Sequence, residues 1–160
     1  LAYAAAVGVG LGACVKLQDR ASPFWVALCA NVAATATVWV SSLANDNSSV
    51  YDPYWCIAPL FVGLWVKDKS GGGLLGAQAA WHPRQVLVTS ALWLWAFRFH
   101  VFVPWSGWFS GLQHEDWRFE DFRKKLPAPA YWAFSLSSLH LTPTLLVFFA
   151  MAPATLVLQA

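Results

Sequence analysis

Charge is scarce in this sequence. Ten Lys and Arg and eight Asp and Glu among 160 residues make it only 11% charged, against about 25% in an ordinary soluble domain. The net charge of +2 is small, and the basic residues are spread over several loops, so a nucleic-acid surface is excluded. Cysteine is sparse and odd in number: Cys14, Cys29 and Cys56 have spacings that match no zinc or redox motif. They read as buried free thiols, and no metal site is expected. Gly71-Gly-Gly73 lacks the lysine and the spacing of a phosphate-binding loop and reads as a flexible connection. The chain opens on Leu1 rather than Met, so a preceding stretch, with any targeting signal, is expected.

What is abundant is apolar surface. With 58% hydrophobic residues and 11 tryptophans, the composition points to a small integral membrane protein, organellar or endomembrane, in contact with a lipid bilayer. The expected fold is all-α: a polytopic membrane helical bundle of about five transmembrane helices plus a short interfacial helix, with residues 1–160 forming a single transmembrane domain. The expected spans are about 1–17, 23–43, from 49–53 to 66, 85–103 and 131–160. Gly8, Gly10 and Gly12 allow close helix contact in the first span. Asn31, Thr35 and Thr37 in the second are expected to hydrogen-bond a neighbouring helix or their own backbone. Pro143 and Pro153 predict kinks in the last span, and Ser135, Ser137 and Ser138 are expected to cap freed carbonyls or line a pocket.

Two polar stretches interrupt this apolar chain: residues 45–55 and 114–119. Five successive spans would place both at one membrane face. In the first, Asp52 ahead of Pro53 is a reasonable helix N-cap. In the second, residues 114–125 have helical spacing, with Glu120 facing Lys124, Asp121 facing Lys125, and Phe119, Phe122 and Leu126 on one side. Arg98 lies about 9 Å by helical rise from the same end of the fourth span, close enough to snorkel there and pair with Asp52 or Asp116. The basic residues are too evenly divided to orient the bundle.

Three motifs, Asn47-Ser-Ser-Val-Tyr-Asp-Pro-Tyr-Trp-Cys-Ile-Ala-Pro59, Leu94-Trp-Ala-Phe-Arg98 and Gly107-Trp-Phe-Ser-Gly-Leu-Gln-His-Glu-Asp-Trp-Arg118, resemble in order and spacing those of the steroid 5-alpha-reductase-like membrane proteins, in particular a largely microbial and algal branch. The resemblance covers about residues 45–153. It implies an all-helical reductase that uses NADPH to deliver a hydride to the beta carbon of a lipid-soluble enone while a protein acid stabilises the carbonyl oxygen. It also implies catalytic roles for Tyr51, Asp52 and Glu115, and a cofactor side built from Arg98, His114, Asp116 and Arg118. Asn47, Ser49, Trp55 and Trp117 complete the polar cluster as substrate-side or structural residues. Phe102 and Phe119 depart from the family pattern, which often has asparagine and tyrosine there. Members of that family run on beyond the segment ending here at Ala160, by about the length of a small domain. The chain as given is therefore expected to lack part of the cofactor site. Two functions follow. The favoured one is a non-catalytic accessory subunit of a larger membrane complex, with other membrane chains as partners and no cofactor. The alternative is a fragment of an active reductase that takes NADPH and a hydrophobic enone.

Overall fold

In the computed structural model, which describes residues 1–69, 81–102 and 112–160, every extended element is helical. Helix α1 (Ala2–Leu17) lies along α2 (Pro23–Ala44). Gly10 lies at this contact, where a Cβ would stand 3.5 Å from the Ala30 carbonyl oxygen and 3.6 Å from the Ala34 methyl, ordinary van der Waals distances that an alanine would also satisfy. Pro23 opens α2, where its missing N–H costs nothing. A 3-10 turn (Ser48–Tyr51) runs into α3 (Asp52–Lys69), and α4 (Pro83–Phe102) packs against α3 through Trp55, whose ring centroid lies 5.8 Å from Trp95 and 5.2 Å from Phe99. The glycine connection at 71–73 lies outside the described residues.

Helix α5 (Trp117–Lys125) begins three residues later than its spacing suggested, because Asp116 caps it. The exposed ion pair in this helix joins Lys124 to Asp121 at 3.5 Å, a spacing of three residues where four was expected. Then α6 (Ala128–Phe134), a π-helical stretch (Ser135–Leu141) and α7 (Thr142–Ala150) form one continuous helix of 23 residues. Pro143 has no N–H to give its own helix, and the wider π turn just before it redistributes the carbonyls: the Thr142 N–H and, at 2.8 Å, its hydroxyl both donate to the Ser137 carbonyl. The chain turns at Met151, ahead of Pro153, and α8 (Ala152–Gln159) packs against α3 and α4. The single last span expected over 131–160 is therefore a long helix and a separate short one.

Among the described residues, two helices are long and apolar enough to cross a membrane: α2 and the continuous helix Ala128–Ala150. Helix α1 is apolar but shorter. Helix α3 ends in Lys67, Asp68 and Lys69, and α4 carries Arg84 and Arg98, which is why these two read as less apolar. The bundle interior is built where α2, α3, α7 and α8 meet, around Ala27, Val62, Val66, Phe148, Met151 and Leu158. Cys14 and Cys56 are buried free thiols as expected, whereas Cys29 is exposed.

Candidate functional site

The turn after α2 is set by three short polar residues. Asp46 takes a left-handed backbone, φ 49°, a conformation that Asp and Asn tolerate better than most side chains. Asn47 then caps the 3-10 turn: its Oδ1 accepts from the Ser49 N–H at 2.8 Å. The cap is thus Asn47 and not Asp52, because the 3-10 turn leads straight into α3 and Asp52 is already helical, φ −58°, ψ −45°. Asp52 sits in the first turn of α3, where the positive end of the helix dipole favours a carboxylate.

The second polar stretch closes on the first through Glu115 and Asp116. Glu115 Oε1 accepts from the Ser48 N–H at 2.6 Å, the Tyr131 hydroxyl at 2.9 Å and Arg123 Nη2 at 3.0 Å, while Oε2 accepts from Arg123 Nε at 2.8 Å. Its side chain is only 8% exposed. Burial by itself pushes the Glu115 carboxyl up, but hydrogen bonds from Arg123, the Ser48 amide and Tyr131 together outweigh that and hold it below the usual carboxylate range. Arg123 also pairs with Asp46 at 2.6 Å and lies over the rings of Tyr131 and Trp132, at 4.3 and 4.9 Å. Asp116 donates its backbone N–H to Ser49 Oγ at 2.9 Å and accepts from the Arg118 backbone and guanidinium, all at 2.9 Å. That guanidinium is the main reason its carboxyl stays below the usual range.

From Glu115 a chain of hydrogen bonds descends into the bundle. Tyr131 meets Ser48 Oγ at 2.7 Å, and Ser48 meets Ser135 Oγ at 2.9 Å. His140 Nδ1 lies 2.9 Å from the Ser135 carbonyl, which can only accept, so the proton is on Nδ1 and Nε2 accepts from the Ser42 hydroxyl at 3.1 Å. The Tyr51 ring rests 4.7 Å from His140, and its hydroxyl joins Thr144 at 2.7 Å, itself 2.9 Å from Thr35. Thr35 therefore binds a neighbouring helix, as expected, and Asn31 does so through Tyr54; Thr37 bonds its own backbone at the Ala33 carbonyl.

Of the residues singled out from the sequence, Tyr51, Asp52, Trp55 and Arg118 line one open groove of about 370 Å³, together with Phe119 and Ser138. Asp52 is half-buried there and makes no ion pair among the described residues. Asn47 and Glu115 line a different opening, and Ser49 and Asp116 are joined by a hydrogen bond and line neither. The other cofactor-side candidates do not converge. His114 is exposed on a separate opening of about 610 Å³, beside Asp46 and Asn47. Arg98 is exposed on α4 and, among the described residues, pairs with neither Asp52 nor Asp116. Trp117 is 70% exposed and touches neither groove. Among the described residues, Arg118 pairs with Asp116, and neither Arg98 nor His114 lines the Asp52 groove.

Sequence reasoning missed Arg123, Ser48, Tyr131 and His140 as members of the cluster. A signal was available for the last two: a histidine and a tyrosine in an otherwise apolar helix need partners. Nothing in the spacing distinguished Arg123 from its basic neighbours.

A family model described as a protein of unknown function, DUF1295, matches residues 38–160. The chain belongs to the DUF1295 family. Both grooves fall within the matched region apart from Leu1, Ala2 and Tyr3 in the lining of the larger one. No curated protein and no solved structure matches the chain. The DUF1295 match also spans the three motifs that carry the resemblance to the steroid 5-alpha-reductase-like proteins.

Proposed function

We propose that this DUF1295 chain is a membrane-embedded helical bundle acting as a structural, non-catalytic subunit of a larger membrane assembly, its polar cluster serving as a clamp between two loops. The observation that carries the reading is the state of Glu115. A carboxylate accepting four hydrogen bonds, three on Oε1 from Ser48, Tyr131 and Arg123 and one on Oε2 from Arg123, is held ionised between the two loops and could act as an acid only by dismantling the contacts it makes. Further support comes from large apolar side chains exposed among the described residues, among them Trp25, Trp93 and Leu94. In a bilayer such side chains meet lipid or other helices.

A second reading rests on a different observation. The groove lined by Tyr51, Asp52, Trp55 and Arg118 sets a carboxyl that makes no ion pair among the described residues beside aromatic walls, a combination suited to holding a lipid-soluble carbonyl compound and protonating its oxygen. In that reading the chain is part of an NADPH-dependent enone reductase, and Asp52 is the acid.

Fluorescence titration of the native protein with NADPH, with NADH as control, separates the two. The structural reading expects no saturable binding and co-purification of other membrane chains under gentle extraction. Saturable binding selective for NADPH overturns it in favour of the reductase.

A further inference from the structure

By count the cations divide almost evenly between the two ends of the bundle, but their pairing does not. At the end carrying the polar cluster, six carboxylates, Asp46, Asp52, Glu115, Asp116, Glu120 and Asp121, stand among four cations. Arg118 pairs with Asp116 at 2.9 Å, Arg123 with Asp46 and Glu115 at 2.6 and 2.8 Å, and Lys124 with Asp121 at 3.5 Å. The opposite end is formed by the last turn of α1, the turn into α2, the last turn of α3 and the start of α4. It holds five cations, Lys16, Arg20, Lys67, Lys69 and Arg84, against two carboxylates, Asp19 and Asp68, and residues 70–80 add no charge. Lys69 pairs with Asp68 at 3.6 Å. Lys16, Arg20, Lys67 and Arg84 make no ion pair among the described residues.

Packing brings these segments together. Leu17 of α1 and Trp65 of α3 rest on the same buried residues, Cys14, Val26 and Ala30. The Lys67 ammonium lies 5.3 Å from the Trp81 ring just ahead of α4, and that of Lys69 lies 4.8 Å from the Trp65 ring. Both helices able to cross a membrane have an end here, joined by Phe24 and Phe148 with ring centroids 4.9 Å apart. Trp25 is exposed beside them, and Trp65 and Trp81 are half-buried. Tryptophan next to lysine and arginine at the ends of crossing helices is the pattern of a headgroup layer. Lys67 is only 4% exposed, so its charge is screened less than one surrounded by water and salt.

On the reading of the chain as a membrane-embedded bundle, we infer that this end docks on anionic phospholipid headgroups, with the exposed Lys16, Arg20 and Arg84 reaching the headgroups and Lys67 adding its field from behind. Paired charges cancel at a distance, whereas four unpaired cations sum, and a cluster of that size beside a crossing helix attracts anionic lipid. The polar-cluster end, where carboxylates outnumber cations, does not. The inference holds whether or not the groove at Asp52 is catalytic.

The test uses the full chain in zwitterionic micelles and reads energy transfer from its tryptophans to dansyl-labelled phosphatidylglycerol or to dansyl-labelled phosphatidylcholine of the same chain length. At about 0.05 M salt the anionic probe should associate at least about fivefold more tightly, the factor that one fully felt cation supplies near an anionic surface. At about 0.5 M salt, where the screening length is about 4 Å, the preference should fall below about twofold. The triple variant Lys16→Gln, Arg20→Gln and Arg84→Gln should abolish it, while Lys124→Gln with Lys125→Gln at the other end leaves it intact. All five side chains are exposed; helicity and thermal midpoint check the fold, and should the triple variant fail to fold, the salt series and the second variant decide. Equal association, a preference insensitive to salt, or its loss in the second variant overturns the inference. So does displacement of the anionic probe by glycerol phosphate at the probe's own concentration, which would mark a site for soluble phosphate. Transfer to both probes without preference defeats this inference and leaves the membrane-embedded reading standing; transfer to neither defeats both.

Discussion

Replacing Glu115 by alanine tests the clamp most directly. The change removes the acceptor for the Ser48 N–H, for one bond of the Tyr131 hydroxyl and for two bonds from Arg123. Breaking a fully buried ion pair costs about 3–5 kcal/mol, but Arg123 is 28% exposed, keeps Asp46 and keeps its aromatic contacts, so much of its charge can be rehydrated. Tyr131 likewise keeps Ser48 Oγ. The Ser48 N–H has no such recourse, and an orphaned buried donor costs about 1–3 kcal/mol. Together these place Glu115→Ala at about 2–4 kcal/mol. Glu115→Gln retains an amide oxygen for Ser48 and loses chiefly the charge assistance from Arg123, for about 1–2 kcal/mol. The assay is reversible unfolding in mixed micelles, followed by helicity, with Arg123→Ala and the double variant completing a cycle. The two single losses should sum to more than the double variant's loss, since the residues share one interaction. A Glu115→Ala variant within about 0.5 kcal/mol of the unmodified protein, the range of an uninvolved surface site, would refute the clamp.

Two other predictions follow from the same geometry. Because the native Glu115 carboxyl is held below its usual range by its donors, it stabilises the fold above its unfolded pKa of about 4.3. That contribution is lost as the pH falls through the lower native value; a thermal midpoint measured from pH 6 to pH 3 should decline less steeply in Glu115→Gln, and identical slopes would contradict the shift. At the other end of the bundle, a Cβ on Gly63 would stand 2.9 Å from one Leu92 methyl and 3.3 Å from one Leu158 methyl. Gly63→Ala should therefore turn both leucine methyls aside, a repacking cost of about 1–2 kcal/mol set against about 1 kcal/mol of helix propensity gained, for a net change within about 1 kcal/mol; a loss above about 2 kcal/mol in the same unfolding assay would mean that the leucines cannot turn and the helices part.

The helical class, four of the helix starts to within a few residues, and the meeting of the two polar stretches were legible in the sequence because each rests on a local rule. Apolar runs bounded by charges mark helices, and two polar loops separated by two crossings of a bundle share an end. What was not legible depends on three-dimensional partners. Asp116 and not His114 starts α5, since the cap is chosen by which carboxylate can turn back on its own helix while its backbone N–H reaches Ser49. Helical rise and the Leu94-Trp-Ala-Phe-Arg98 motif both point Arg98 to the cluster. Rise gives depth and says nothing of the direction a side chain takes around the helix, and α4 presents Arg98 outward. Arg123 was overlooked for the converse reason: in sequence it is one of three basic residues ending a solvated helix, and only the fold shows that it faces Glu115, Asp46 and two rings.

The π-helical stretch explains why the cluster reaches so far into the bundle. An α-helix through Pro143 would leave the carbonyl four residues earlier, that of Leu139, without its N–H partner. Widening the turn over Ser135–Leu141 shifts the register instead, so that His140 Nδ1 reaches back five residues to the Ser135 carbonyl and Thr142 reaches back five to that of Ser137. The same shift sets Ser135 Oγ within reach of Ser48 and His140 within reach of Ser42. One proline thus obliges the helix to use side chains as well as backbone to satisfy its carbonyls, and those side chains link the Asn47 turn to the core of the bundle. Hydrogen bonding of this kind satisfies the backbone whether or not any substrate binds, which is why it supports the proposed clamp, and why a catalytic role must be sought at Asp52, which makes no ion pair among the described residues.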